Sequence, residues 1–422
     1  MCKGSAITIF VILFTLFLLY YEMDYEIGWL RILSKTSSFI AISTLSMSFV
    51  LSIRIRLIEV LFKGLDRAYI VHQILGRSSL FFMLMHPILL AASYGWDKDI
   101  MSIYFIPGKS LYHTLGLLSV ITVIALVALT ICFNYKYDIW LYTHRLMIFA
   151  LPLAILHSIE LGSEMEYEPL QYWVIFVSIV GMISYAYKVL LYNRIGSKSQ
   201  FTIEGISYRG DITEMSLGPL EKCSDIKPGQ FFFVRFPDIG GEMHPFSVSK
   251  IDKKQSLRFS IKRSGDYTSE KLLNLNIGDR ATLYGPYGMF FEDAHSGQEN
   301  VYFVAGGIGI TPFLAYLNSF DGKGNKNIRL IWTVSNIEEA VYEQELEELQ
   351  TSIEGFSYEI WLSKINGRLR AKDVFDLYGE DERGNLWVYI CGPGNLNHAL
   401  SADFYSMGIP ASNIKVEYFT LK

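Results

Sequence analysis

The 422-residue chain has four cysteines, Cys2, Cys132, Cys223 and Cys391, and no two of them form a CxxC pair. This excludes the usual iron–sulfur and zinc spacings and gives no sign of a disulfide framework, as suits a soluble portion in a reducing compartment. Positive charge is not in excess either. Lys and Arg number 37 against 42 Asp and Glu, for a formal charge of -5, so no nucleic acid partner is expected. No EF-hand loop pattern occurs. No small-residue cleavage site follows the apolar residues 5–21; Glu22, Met23 and Asp24 do, so the run reads as a retained span and not as a signal peptide.

Hydrophobic residues are abundant, at 51% of the chain, and the mean hydropathy is +0.26. The excess lies in the first half. Six candidate spans stand at 5–22, 36–53, 69–94, 111–133, 138–160 and 169–192, each near the ~20 residues that cross a bilayer as a helix. The third is amphipathic, as a helix facing a cofactor should be. Arg54, Arg56, Lys63 and Arg67 follow the second span, Lys136 the fourth, and Arg194 and Lys198 the last. The segment 158–168 holds Glu160, Glu164, Glu166 and Glu168 with no Lys or Arg, while 95–110 mixes Lys98 and Lys109 with Asp97 and Asp99. Basic loops face the cytoplasm. The expectation is a multi-pass protein of the cell membrane, a six-helix all-α bundle over 1–195 with both termini cytoplasmic.

Within these apolar stretches stand His72 and His86, fourteen residues apart, and His144 and His157, thirteen apart. Ionisable residues at membrane depth are rare and usually functional, and imidazole is a common axial ligand of haem iron. Each pair spans about 20 Å of helix. The third and fifth spans run in the same direction, so His72 and His144 share the inner level and His86 and His157 the outer one. Two haems stacked across the bilayer would use all four. In ideal helices, His86 comes within about 40° of His72's direction, whereas His157 lies about 140° from His144's. Pro152 can distort that helix, or the two haems are rotated relative to each other. Arg77, one turn above His72, needs a partner at that depth, either a haem propionate or an interhelical bond.

Residues 200–290 alternate apolar and polar positions in short runs such as Phe231-Phe232-Phe233-Val234 and Leu257-Arg258-Phe259-Ser260-Ile261, which predicts a small antiparallel β-barrel over 196–297. His244-Pro245-Phe246-Ser247 lies inside it, with an aromatic ring that can stack on a flavin and a hydroxyl that can bond it. Lys262-Arg263-Ser264-Gly265-Asp266-Tyr267-Thr268 combines cation, glycine and hydroxyl, and a helix start at 269–273 would add backbone N–H groups for a diphosphate. From 298 to the end, strands alternate with helices: strands near 301–304, 328–334, 357–363 and 386–391, and a helix at 313–320. Ala305-Gly306-Gly307-Ile308-Gly309-Ile310-Thr311-Pro312 follows the first strand. It is not GxGxxG, since Pro312 replaces the last glycine, but glycines there let a pyrophosphate approach backbone and helix dipole. Cys391-Gly392-Pro393-Gly394 ends a later strand, where it can meet a nicotinamide.

These motifs, with Gly285-Pro286-Tyr287-Gly288, stand in the order found in ferredoxin-reductase-type FAD/NAD(P) modules. Joined to the four-histidine helices, the whole chain resembles the NADPH oxidase and ferric reductase superfamily, most of all its compact bacterial oxidases. The resemblance implies Phe246 and Ser247 at the flavin ring, with His244 and Pro245 in the same motif. It implies Lys262, Gly265 and Thr268 at the FAD phosphates. Gly306, Gly307, Gly309 and Thr311 would hold the nucleotide's pyrophosphate, with Cys391, Gly392 and Pro393 near its nicotinamide. Glu417-Tyr418-Phe419 resembles the family's terminal segment, so Phe419 would cover the flavin, and Phe419 and Cys391 would serve hydride transfer. One departure bears on NADPH: Thr333-Val334-Ser335-Asn336-Ile337-Glu338-Glu339 offers an acidic pair where an arginine often holds the 2'-phosphate.

The expected activity is electron transfer from cytosolic NADPH or NADH through FAD and two b-type haems to external O2, giving superoxide. A ferric chelate is the alternative acceptor. A haem protein dependent on a separate electron donor is disfavoured, because the chain carries its own NAD(P)H site. No obligatory regulatory subunit is expected.

Overall fold

The computed structural model describes residues 2–22, 28–132, 137–162, 168–221, 225–240, 243–292, 294, 298–320, 327–378 and 385–418. The chain divides into two compact units, Met1–Ile195 and Gly196–Lys422.

The first unit is helical: α1 (Lys3–Glu22), α2 (Trp29–Leu51), α3 (Arg56–Phe62), α4 (Leu65–Ser93), α5 (Lys98–Phe105), α6 (Leu111–Cys132), α7 (Tyr137–Arg145), α8 (Ala150–Gly162), α9 (Glu168–Ala186) and α10 (Tyr192–Ile195). Among the described residues, Lys3–Tyr21, Leu65–Ser93, Leu111–Thr130, Ile139–Ile159 and Pro169–Ile195 are each long and apolar enough to cross a membrane. α2 makes a sixth with α3, from which it is bent by 114°. Phe10, Leu13 and Phe17 on α1, and Phe176, Ile179 and Ile183 on α9, form exposed apolar stripes at helical spacing that suit hydrocarbon and not water.

α2 begins at Trp29, seven residues before the apolar run that predicts it, because Arg31 and Lys35 interrupt hydropathy without interrupting a helix. Part of the expected loop 95–110 is helix α5, capped by the Asp97 carboxylate, which accepts from the backbone N–H of Asp99 and Ile100 at 3.0 Å each. Small residues let α2 pack closely. A Cβ at Gly181 of α9 would lie 2.9 Å from the Ser46 carbonyl, and Ser79 Oγ of α4 donates to the Ala41 carbonyl at 3.0 Å.

The second unit holds a closed antiparallel barrel of β1 (Lys198–Arg209), β2 (Ile212–Pro219), β3 (Phe231–Arg235), β4 (Met243–Ile251), β5 (Leu257–Lys262) and β6 (Arg280–Tyr287), in the order β1-β2-β5-β4-β3-β6. Phe201, Phe232, Val234, Phe259 and Leu283 fill it. Between β5 and β6, the expected helix start lies in a short helical segment, wide at Tyr267–Lys271 and tighter at Leu272–Asn274, which ends as Leu272 and Leu275 enter the barrel core.

A parallel sheet follows: β7 (Asn300–Gly306), β8 (Asn327–Val334), β9 (Phe356–Leu362), β10 (Leu386–Gly392) and β11 (Ile414–Tyr418), in the order β11-β10-β7-β8-β9. The helices α11 (Thr311–Ser319), α12 (Glu343–Ser352), α13 (Ser363–Asn366), α14 (Ala371–Tyr378) and α15 (Gly394–Ser406) connect it. Val301 and Phe303 of β7 join one core layer, Tyr302 and Val304 the other, so both faces of the sheet are covered. β7 is flanked by β8 and β10, so the strand order reverses beside it. That is the switch point, where open α/β sheets bind ligands at the carboxyl ends of their strands.

Candidate functional site

α4 carries His72 and His86, α7 carries His144 and α8 carries His157. The ring centroids of His72 and His144 lie 6.2 Å apart, and those of His86 and His157 also 6.2 Å apart. An imidazole nitrogen sits about 2 Å from a first-row metal, so two rings on opposite sides of one ion have centroids about 6 Å apart. Both pairs therefore have the spacing of axial ligands to one iron each.

The fifth span meets this geometry through a local change of winding. Residues Leu146–Phe149 form a 3₁₀ turn between α7 and α8. Four steps of about 120° in place of about 100° cut the angular offset between His144 and His157 from about 140° to about 60°. The greater 3₁₀ rise lets thirteen residues reach about as far as fourteen α-helical ones, near 21 Å. Pro152 has no N–H to offer the Ile148 carbonyl. The distortion therefore precedes the proline.

Hydrogen bonds fix the tautomers. Nδ1 of His72 donates to the Ser48 carbonyl at 2.8 Å, Nδ1 of His86 to the Ser34 carbonyl at 3.0 Å, and Nδ1 of His157 to the Tyr112 carbonyl at 2.8 Å. A carbonyl only accepts, so Nδ1 holds the proton and Nε2 keeps its lone pair for a metal. The hydroxyls of Ser48 and Ser34 each lie 3.0 Å from the same Nδ1 atoms. These serines are fourteen residues apart on α2, as the histidines are on antiparallel α4. Sequence reasoning passed over that matched spacing. His144 has a different support, the Trp140 ring, stacked at 5.2 Å and 17°.

Two glycines mark room around the histidines. A Cβ at Gly116 would stand 2.7 Å from His157 Nδ1, so the His157 ring occupies the space a side chain would need. A Cβ at Gly76, one turn beyond His72, would meet nothing within 4 Å. Among the described residues no group of three or more His, Cys, Asp or Glu could enclose a metal. Two opposed pairs, with open space at Gly76 beside the first, fit planar haem and not a side-chain cage. His113, unremarked in the sequence, has its ring 6.2 Å from His157 and 4.4 Å from Tyr104. Arg77 is exposed on the unit's surface.

In the barrel, the His244 ring stacks on Tyr267 at 3.6 Å and lies 6.3 Å from Phe246. Pro245 and Ser247 alternate with them along β4 and pair across to Phe233 and Phe231. Thr268 Oγ1 donates to the Ser264 carbonyl at 2.6 Å and accepts from Ser264 N–H at 2.7 Å, closing a loop around Gly265. Lys262 does not turn into this loop. Its Nζ lies 3.2 Å from Asp211 and 3.6 Å from Glu339. A cation missed in the sequence is nearer the motif. Arg235, opposite Met243, has a buried Nε with no hydrogen-bond partner among the described residues, as suits a diphosphate neighbour.

At the switch point, β7 ends in Gly306 and the glycine stretch lies against the end of β10. A Cβ at Gly309 would fall 2.2 Å from the Cys391 carbonyl, and one at Gly392 would fall 3.0 Å from Gly306 Cα. Only backbone fits there. Gly307 has φ +53 and nothing within 4 Å of a Cβ, which leaves its surface open to a ligand. Trp332 Nε1 donates to the Gly307 carbonyl at 2.8 Å, and Thr311 Oγ1 to that of Ile308 at 3.1 Å. Pro312 stands in the first turn of α11, where its missing N–H costs nothing. Cys391 is wholly buried in the core, and its register partner on β11 is Glu417, a buried carboxylate that sequence reasoning did not single out. Phe419 lies outside the described residues.

Three family models match in sequence order: a ferric reductase like transmembrane component over 37–155, an FAD-binding domain over 200–289 and an oxidoreductase NAD-binding domain over 303–401. This is the domain architecture of the NADPH oxidase and ferric reductase superfamily. All four histidines but His157 fall within the first match, and His157 lies two residues beyond it. Among curated relatives, the chain is 27% identical over 198 residues to the toluate 1,2-dioxygenase electron transfer component of Pseudomonas putida, covering 46% of this chain and 58% of that one. It is 28% identical over 220 residues to a flavohemoprotein of Candida norvegensis, covering 50% and 54%. The chain thus spans about half the length of the curated relatives it matches. A flavohemoglobin structure from Malassezia yamatoensis shares its fold with a TM-score of 0.51 at 17% identity, covering 92% of this chain and 96% of that one. Within this superfamily architecture, Glu338 is exposed beyond the end of β8, whereas Glu339 is taken up by Lys262.

Proposed function

We propose that the protein carries electrons across a membrane from NADH or NADPH to an acceptor outside, with O2 reduced to superoxide. The observation that carries this reading is the equal 6.2 Å separation of the two cross-helix histidine pairs, set on α4 and on the α7–α8 segment. FAD, when bound, would supply acceptance of one hydride, with its two electrons, from the nicotinamide, and two b-type haems would supply one-electron transfer.

His72 and His144 would hold the inner haem, His86 and His157 the outer one. With a histidine from each of two helices, each pair would leave no iron site for O2, which would favour one-electron reduction of O2 without ligation. Arg54 and Lys188 share the Tyr192 ring at 5.7 and 4.7 Å, and Arg145 follows His144. This concentration of cations toward the His72–His144 level supports a cytoplasmic inner face, with both termini and the reductase half on that side.

In the barrel, Phe246 and Ser247 would contact the flavin ring, and His244, Arg235, Gly265 and Thr268 its phosphates. Gly307, whose open surface tops the α11 turn, would receive the nucleotide's pyrophosphate, with Gly306, Gly309 and Thr311 shaping that turn. Cys391, Gly392, Pro393 and Glu417 border the place of the nicotinamide. Phe419 would cover the flavin. No residue has to act as general acid or nucleophile.

The ferric reductase like match over 37–155 favours a second reading, in which a ferric chelate takes the electron. Purified protein supplied with FAD and NADH separates the two. Cytochrome c reduction suppressed by superoxide dismutase supports O2 as acceptor. Reduction of a ferric chelate that persists without O2, and outpaces superoxide release in air, supports iron. No NAD(P)H consumption with either acceptor overturns both.

A further inference from the structure

We infer that Arg258 and Glu345 form a positioning clamp that sets the placement of the nicotinamide against the flavin. The inference rests on the FAD and NAD(P)H reading above and adds a role for two residues outside every motif of the chain.

Arg258 stands on β5 of the barrel and Glu345 in the first turn of α12. The pair is bidentate: Nη1 donates to Oε2 at 2.8 Å and Nη2 to Oε1 at 2.9 Å. Only 15% and 14% of the two side chains is exposed. Arg258 Nε also donates to Ser249 Oγ on β4 at 3.1 Å, and Asn318 Nδ2 on α11 donates to Glu345 Oε1 at 2.9 Å. Glu214 lies 3.8 Å from Nη1, and the guanidinium sits 5.7 Å from the Tyr342 ring centroid.

The elements joined in this way are those that lead into the nucleotide sites. β5 runs into the 263–268 loop and β4 carries His244, Phe246 and Ser247. α11 opens on the glycine turn, and α12 follows the 335–342 segment that holds Glu338. One planar ion pair therefore fixes the barrel's flavin elements relative to the sheet's nucleotide elements in two directions at once. A bidentate guanidinium–carboxylate pair has a single favoured plane, unlike apolar contacts, which slide. Buried ion pairs contribute little net stability against well-packed apolar replacements, so geometry is the property such a pair adds. Hydride transfer depends steeply on that geometry, since a misplacement near 1 Å can cost about a hundredfold in rate.

The test uses the full-length protein in detergent, loaded with FAD, in three forms: wild type, Arg258→Lys, and the double variant Arg258→Met with Glu345→Leu. Flavin reduction by NADH is followed anaerobically by stopped flow over a range of NADH concentrations, with FAD content and the nicotinamide–flavin charge-transfer absorbance as companions. The double variant is expected to keep its FAD and an NADH Kd within about threefold, while the limiting reduction rate falls about tenfold or more and the charge-transfer band weakens. Arg258→Lys, which keeps the charge but not the plane, is expected to fall between. A double variant with a wild-type limiting rate overturns the clamp, as does a rate that falls only in step with lost FAD. Wild-type protein whose flavin neither NADH nor NADPH reduces overturns the underlying reading instead.

Discussion

A Cβ on Gly116 of α6 would lie 2.7 Å from Nδ1 of His157 on α8, so the imidazole takes the place of a side chain. Gly116→Val is therefore expected to displace His157 and remove the outer haem while leaving the inner one. Haem per protein should fall to about half by the pyridine haemochrome assay, with the FAD content unchanged. Retention of both haems would show that His157 is not held against α6.

The serines of α2 should tune the haems without being needed to hold them. The backbone carbonyls of Ser48 and Ser34 keep the Nδ1–H bonds in Ser48→Ala and Ser34→Ala, and only the hydroxyls are lost. A weaker Nδ1 bond makes the imidazole a poorer donor to iron. The matching haem's midpoint potential should rise by less than about 59 mV, a tenfold change in equilibrium constant for one electron. Spectroelectrochemical titration checks this: the inner haem should shift in Ser48→Ala and the outer one in Ser34→Ala. No shift in either would leave the hydroxyls without influence on the iron.

Gly309→Ala places a methyl group 2.2 Å from the Cys391 carbonyl, against backbone that cannot swing away. NADH affinity should drop at least about tenfold through distortion of the α11 turn, with FAD and haem spectra intact. Titration of NADH against anaerobic flavin reduction measures it.

The arrangement near Glu338 predicts weak discrimination between the nucleotides or a preference for NADH, because an exposed carboxylate beyond β8 repels a 2'-phosphate. Glu338→Arg should move the kcat/KM ratio toward NADPH by about tenfold. Glu339→Arg should do less to this ratio, since Glu339 turns to Lys262. A wild-type enzyme with strong NADPH preference contradicts the assignment.

Much of this was legible beforehand. Hydropathy located the apolar helices among the described residues, alternation located β3, β4 and β5 of the barrel, and short apolar runs located β7 to β10 of the sheet, because burial imposes those patterns. The motif residues at the ends of β7 and β10 do meet. Other features left no trace in the sequence. Pro152 signals a distortion of its helix but not its place at 146–149, and Arg258 meets Glu345 across 87 positions with no local pattern. Lysine beside glycine and hydroxyl has the chemistry of a phosphate ligand, and the sequence around Lys262 shows no other partner. The carboxylates it meets, Asp211 and Glu339, come from turns distant in the sequence.

Acid should weaken the reductase half through Glu345. Burial pushes its carboxyl up, but hydrogen bonds and charge from Arg258, with Asn318, hold it below the ordinary value. A carboxyl depressed in the folded state adds stability above its unfolded pKa of about 4.3, and this is lost as pH falls through the lower folded value. The melting temperature read by flavin release should therefore fall more steeply below about pH 4 in wild type than in Glu345→Gln. Equal slopes would remove Glu345 from the acid response.

The central claim is that two histidine pairs hold two haems which NADH reduces through the chain's own flavin. Anaerobic addition of NADH to purified, FAD-loaded protein, with haem spectra recorded and haem per chain counted, tests it most directly. The account predicts two low-spin haems per chain, both reduced without any added protein, and one per chain in His72→Ala, His144→Ala, His86→Ala or His157→Ala. Haem content near wild type in any of these variants, or haems that stay oxidised while the flavin is reduced, would contradict it.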